Sequence, residues 1–147
     1  MISVISHSRE ETYALGRKIG ASLTQSSVIA LFGGMGMGKT VFTSGLAEGL
    51  GVDSPVSSPT FAIVHEHSGR LPLYHFDMYR VETYYDLESA GFFEYLERGG
   101  IVCTEWSENI ENALPEGCIR VTISRGETDG ERIITVDGGE SLENTIA

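Results

Sequence analysis

The sequence predicts an α/β fold: a single domain with a mostly parallel central sheet, flanking helices and peripheral hairpins. Three observations predict it. A continuous apolar run, Val28-Ile29-Ala30-Leu31-Phe32, leads directly into a glycine-rich loop and then into a helical pattern. Continuous apolar runs of this kind mark strands buried on both faces, as in parallel sheets. Strand-like and helix-like stretches then alternate along the chain, which argues for one α/β layer structure. The length of 147 residues is that of one domain, 1–147, without repeats or long linkers.

The elements follow in order. Ser8-Arg9-Glu10-Glu11 fits a capping box, with Ser8 as N-cap and Glu11 three residues on. Leu15, Ile19 and Leu23 recur every four residues, so a helix from about 9 to 23 is expected. A second helix should run from about Lys39 to Leu50, with Gly51 placed to end it. A loop rich in Ser and Pro spans Asp53 to Pro59. Thr60–His67 and Leu71–Asp77 read as a hairpin around Ser68-Gly69. Residues 84 to 97 read as a helix burying Leu87, Phe92, Tyr95 and Leu96. Ile101-Val102-Cys103-Thr104 is a further buried strand ending at Glu105-Trp106. Cys118–Ser124 and Arg132–Asp137 flank a Thr128-Asp129-Gly130 turn and form a second hairpin, and the tail from about 138 is expected to fray.

Composition narrows the function. Ten basic residues stand against 21 acidic ones, a net charge of −11. Such a surface repels phosphate backbones, so direct nucleic-acid binding by this chain alone is disfavoured. No apolar run approaches the ~20 residues of a membrane span, and residues 1 to 7 lack the pattern of a secretory leader. A cytoplasmic protein with two reduced, buried thiols, Cys103 and Cys118, is the expectation.

The loop Gly33-Gly34-Met35-Gly36-Met37-Gly38-Lys39-Thr40 matches G-x-x-x-x-G-K-[ST], the P-loop, which makes the expected α/β fold a single P-loop NTPase domain. Each part has a physical reason. Glycines let successive backbone N–H groups turn toward phosphate oxygens. The loop opens a helix whose positive end faces the same anion. Lys39 reaches the β- and γ-phosphates, and the Thr40 hydroxyl ligates Mg²⁺. Of the two lysines in the chain, Lys18 and Lys39, one sits here. A dinucleotide fingerprint fails in both frames, because position 39 is Lys and position 41 is Val where Gly or Ala is needed.

Such a site also needs a carboxylate at a neighbouring strand end to hold the metal, and a group that positions the attacking water. Asp77 and Glu105 both qualify. The run before Glu105 is the more apolar, which favours Glu105 as metal holder and leaves Asp77 for water orientation or general-base work. Ser57-Ser58-Pro59-Thr60 reads either as a switch loop sensing the γ-phosphate or as a Ser/Pro turn. His65, His67 and His75 lack further ligands at fitting spacing, so packing or surface roles are expected of them. Trp106 packs either over the nucleotide site or in the core.

Taken in order, the P-loop, Ser58-Pro59-Thr60-Phe61, His75-Phe76-Asp77-Met78-Tyr79-Arg80 and Glu105-Trp106-Ser107-Glu108 resemble the TsaE (YjeE) family. The resemblance covers roughly residues 8 to 137. It implies a bacterial ATPase needed for threonylcarbamoyladenosine at position 37 of tRNAs that read codons starting with A. It also implies work with TsaB and TsaD, the latter carrying the transferase site, and contact with tRNA only through those partners.

By the same resemblance, ATP phosphates are bound by Lys39 and the loop amides from Met35 to Gly38. Mg²⁺ is held by Thr40 and Glu105. Asp77 is the catalytic carboxylate, Thr60 the switch threonine and Trp106 the tryptophan beside the metal acid. Arg9 and Arg132 lie near base and sugar. Met35 and Met37 depart from the smaller residues usual there, at little cost, because only their backbone N–H groups are used.

Two other functions compete. A small-molecule kinase would need an Arg- or Lys-rich lid, and the arginines at 70, 80, 98, 120, 125 and 132 are scattered. A nucleotide-dependent switch with negligible hydrolysis suits the 57–60 loop as well as an ATPase does. The absence of an N-K-x-D motif favours ATP over GTP.

Overall fold

The structure, a computed structural model, describes residues 1–57 and 63–147. Its elements are β1 (Ile2–Ser6), α1 (Arg9–Ser22), β2 (Ser27–Phe32), α2 (Lys39–Gly49), β3 (Val64–His67), β4 (Leu73–Asp77), α3 (Tyr84–Ser89), α4 (Phe92–Glu97), β5 (Ile101–Glu105), a 3₁₀ segment (Ser107–Ala113), β6 (Ile119–Arg125), β7 (Arg132–Asp137) and α5 (Glu140–Ile146). Seven strands form one sheet in the order β1-β7-β6-β2-β5-β4-β3. The central four, β6, β2, β5 and β4, are parallel. Antiparallel partners close both edges.

Alternation along the strands sorts side chains onto two faces. Ile29, Leu31, Ile101, Cys103 and Val121 pack with Leu15 and Ile19 of α1, Phe42 and Leu46 of α2, and Leu142 and Ile146 of α5. Val102, Tyr74 and Phe76 pack on the other face with Leu87, Phe92 and Ile110. Phe76 and Phe92 meet edge to face at 5.4 Å. Full burial of one such ring contributes about 2–3 kcal/mol.

The helices α1 and α2 approach backbone to backbone. A Cβ on Gly16 would lie 2.3 Å from the Phe42 carbonyl oxygen, and one on Gly45 would lie 2.0 Å from that of Tyr13. Glycine at these places lets α1 lie close along α2, which brings the α1 N-terminus to the phosphate loop. Ser8 caps that terminus through the Glu11 N–H. The Glu11 carboxylate reaches back to the His7 N–H, one residue before the expected box partner.

Three expectations are corrected and one strand is added. Residues 84 to 97 form two short helices and not one. Thr83 and Asp86 make a capping box for α3, and Gly91, at φ 77°, turns the chain between α3 and α4. The tail from 138 is not frayed: it forms α5, because Leu142 and Ile146, four residues apart, bury against the sheet. The added strand is β1, Ile2–Ser6, an edge strand paired with β7. Cys118 is only half-buried and precedes β6, whereas Cys103 is fully buried.

Candidate functional site

The phosphate loop leaves the end of β2 at Phe32. Gly33 has φ 144°, and a Cβ there would lie 2.6 Å from the Ile123 carbonyl oxygen, so β6 itself demands glycine. Gly38 is the N-cap of α2, with φ 105° and no side-chain cap. The first amides of α2 are therefore not taken by a capping side chain, which is the condition for an anion site at a helix start.

A cavity of about 440 Å³ opens here. It is lined by the loop from Met35 to Thr40 together with Arg9, Asp77, Tyr79, Glu105 and Trp106. Gly33 and Gly34 instead line a neighbouring cavity on the β6 side of the loop.

Lys39 is 5% exposed. Its Nζ donates to the Gly33 carbonyl at 2.6 Å and lies 3.9 Å from the centre of the Trp106 ring. Burial pushes the pKa of this ammonium below its ordinary value, while Glu105, then Glu108, then Asp77 pull it back up.

Asp77 and Glu105 are direct partners in the register of β4 and β5. Glu105 is buried, and its Oε2 accepts from His75 Nε2 at 2.5 Å. Asp77 is half-buried, and its Oδ1 accepts the Tyr79 N–H at 2.9 Å. Two residues before Glu105, burial pushes the Cys103 thiol up to about 12.

Trp106 has φ 57°, the one positive value outside glycine among the described residues. A bulky side chain there is strained, at a cost of order 1–3 kcal/mol. The kink turns the chain from β5 into the 3₁₀ segment and sets the indole beside Lys39 and 5.0 Å from the Tyr79 ring.

The structure thus brings together Lys39, Thr40, Asp77, Glu105, Trp106, Arg9 and the loop from Met35 to Gly38. Arg132 joins from β7, its Nε donating to the Met37 carbonyl at 3.2 Å. Thr60, with most of the proposed switch segment, lies outside the described residues. Two partners were missed from sequence. Glu108 Oε2 accepts the Gly33 N–H at 3.0 Å. His75, expected to serve packing or the surface, is buried and bonded to Glu105. A carboxylate three residues beyond Glu105 was the available signal for the first. The His-x-Asp alternation, which puts both side chains on one face of β4, was the signal for the second.

Among the described residues no three His, Cys, Asp or Glu side chains converge as a metal site. The oxygens of Thr40 and Glu105 at one cavity fit Mg²⁺, which takes few protein ligands and completes its shell with phosphates and water.

The model of the family described as "Threonylcarbamoyl adenosine biosynthesis protein TsaE" matches residues 6–134. The chain belongs to the TsaE family. The tRNA threonylcarbamoyladenosine biosynthesis protein TsaE of Bacillus subtilis is 43% identical over 127 residues, 86% of this chain and 78% of that one. The TsaE of Treponema pallidum is 38% identical over 132 residues, 90% of this chain and 97% of that one. The crystal structure of YdiB from Bacillus subtilis superimposes with a TM-score of 0.80 at 36% identity, covering 98% of this chain and 90% of that one. Like the family, this TsaE chain is tied to threonylcarbamoyladenosine synthesis. Among its described residues no helix is long and apolar enough to cross a membrane.

Proposed function

We propose that the chain is a Mg²⁺-dependent ATPase whose binding and hydrolysis of ATP reset a tRNA-modifying complex with TsaB and TsaD. One observation carries the reading: a buried P-loop lysine and two register-paired strand-end carboxylates line the same cavity. In this reading Lys39 leaves the Gly33 carbonyl for the β- and γ-phosphates, and the loop and α2 amides hold the phosphate oxygens. Thr40 and Glu105 hold Mg²⁺, which when bound offsets phosphate charge as the leaving group departs. Asp77, the more accessible carboxylate, orients the attacking water and accepts its proton. Arg9 and Arg132 flank the base and sugar. The net charge of −11 fits a subunit that leaves tRNA to its partners.

The test is ATP hydrolysis by the purified chain, alone and with TsaB and TsaD. Turnover that rises sharply with the partners is the expected result. Turnover indifferent to them, with ATP binding intact, removes the complex-resetting role.

A further inference from the structure

His75 lies in the middle of β4 and is 0% exposed. It pairs in register with Cys103, two residues before Glu105 on the neighbouring strand. Since side chains alternate, His75 and Asp77 share one face of β4, and Cys103 and Glu105 share the same face of β5. The imidazole therefore lies diagonally behind the Glu105 carboxylate, and Nε2 meets Oε2 at 2.5 Å. A carboxylate only accepts, so the hydrogen belongs to His75 Nε2.

Packing does not explain a histidine at this place. Leu73, two residues earlier on the same face of β4, is fully buried and apolar, as are Ile101 and Cys103 beside it on β5. His75 Nδ1 is buried without a hydrogen-bond partner among the described residues. A purely structural position would shed that unpaired atom in favour of an aliphatic side chain. What the ring supplies here is a single N–H aimed at Glu105. Lys39 Nζ, the nearby cation, is engaged by the Gly33 carbonyl.

We infer that His75 is a positioning residue that fixes the Glu105 carboxylate for the metal of the nucleotide site. With Oε2 committed to the ring, Oε1 is the oxygen left for another partner, and the carboxylate reaches the cavity in one orientation. Loss of an outer partner of this kind costs metal affinity about 10–100-fold. The inference rests on the proposed metal role of Glu105.

The test uses the full chain with a non-hydrolysable ATP analogue and Mn²⁺ in place of Mg²⁺, with metal binding read by electron paramagnetic resonance. His75→Leu keeps the bulk and removes the donor. It should weaken Mn²⁺ about 10–100-fold, while analogue affinity in EDTA stays at the wild-type value. His75→Gln, whose amide nitrogen reaches the place of Nε2, should recover most of the loss. His75→Asn, whose amide stops one bond short, should not. If His75→Leu does not fold, the contrast between Gln and Asn decides. Equal Mn²⁺ affinity in wild type and His75→Leu, or in the Gln and Asn variants, overturns the inference alone. A wild-type complex that takes no Mn²⁺ overturns the metal role of Glu105 and the inference together.

Discussion

Asp77 and Glu105 face each other across two strands, yet the ends of β4 and β5 are different chemical places. At β5 the surroundings are dry: Cys103 is fully buried, Glu105 is 4% exposed, and a histidine holds its carboxylate from behind. At β4 the place is more open: Asp77 is half-buried, its carboxylate accepts the N–H two residues on, and Tyr79 is exposed. A carboxylate held rigidly in a dry place suits a metal, which asks for fixed donors. A carboxylate in a half-open place suits proton transfer, which requires exchange with water. Register alone would have made the two residues equivalent, and the difference comes from what stands behind each.

Replacing the freer carboxylate tests this contrast most strongly. Asp77→Asn should lower kcat about 10²–10⁴-fold while ATP binding stays near wild type, as single-turnover assays and calorimetry would show. A parallel loss of binding would move Asp77 to the metal and erase the distinction between the strand ends. Lys39→Ala removes the cation that both carboxylates and Glu108 surround. It should weaken ATP roughly 100-fold, the scale of a lost hydrogen bond between charged groups. Unchanged affinity would remove the P-loop assignment.

The parts of the site written in contiguous residues were legible in the sequence. The P-loop needs only its own glycines, one lysine and the flanking strand and helix. Asp77 and Glu105 could be read because each ends an apolar run. The bonds from His75 to Glu105 and from Glu108 to Gly33 depend on how separate strands and turns are set in space, and no local pattern states that. The same holds for the Arg132 contact with Met37, which spans 95 residues. The fold was legible where periodicity was long, as in α1 and α2. It was misread where one glycine outweighed the pattern, as Gly91 does between α3 and α4. The tail helix escaped because Gly138-Gly139 resembled a terminus, while the spacing of Leu142 and Ile146 was the countersign.

The gentlest probe of the contrast is the residue that joins the two ends. Trp106 is the single tryptophan, and it touches Tyr79 beyond β4 and Lys39 from the P-loop. An ammonium over an indole contributes about 1–2 kcal/mol when partly desolvated, a modest sum beside the phosphate charge that competes for it. ATP should therefore draw Lys39 off the ring and change Trp106 emission. The measurement is cleanest in Asp77→Asn, where binding persists and hydrolysis does not blur the end point. In Lys39→Ala the free protein should already show altered emission, since no ammonium lies on the ring, and ATP at wild-type saturating concentration should add little. An emission unmoved by ATP in Asp77→Asn would mean that Lys39 stays on the indole, and the phosphates would then be held by the loop amides alone.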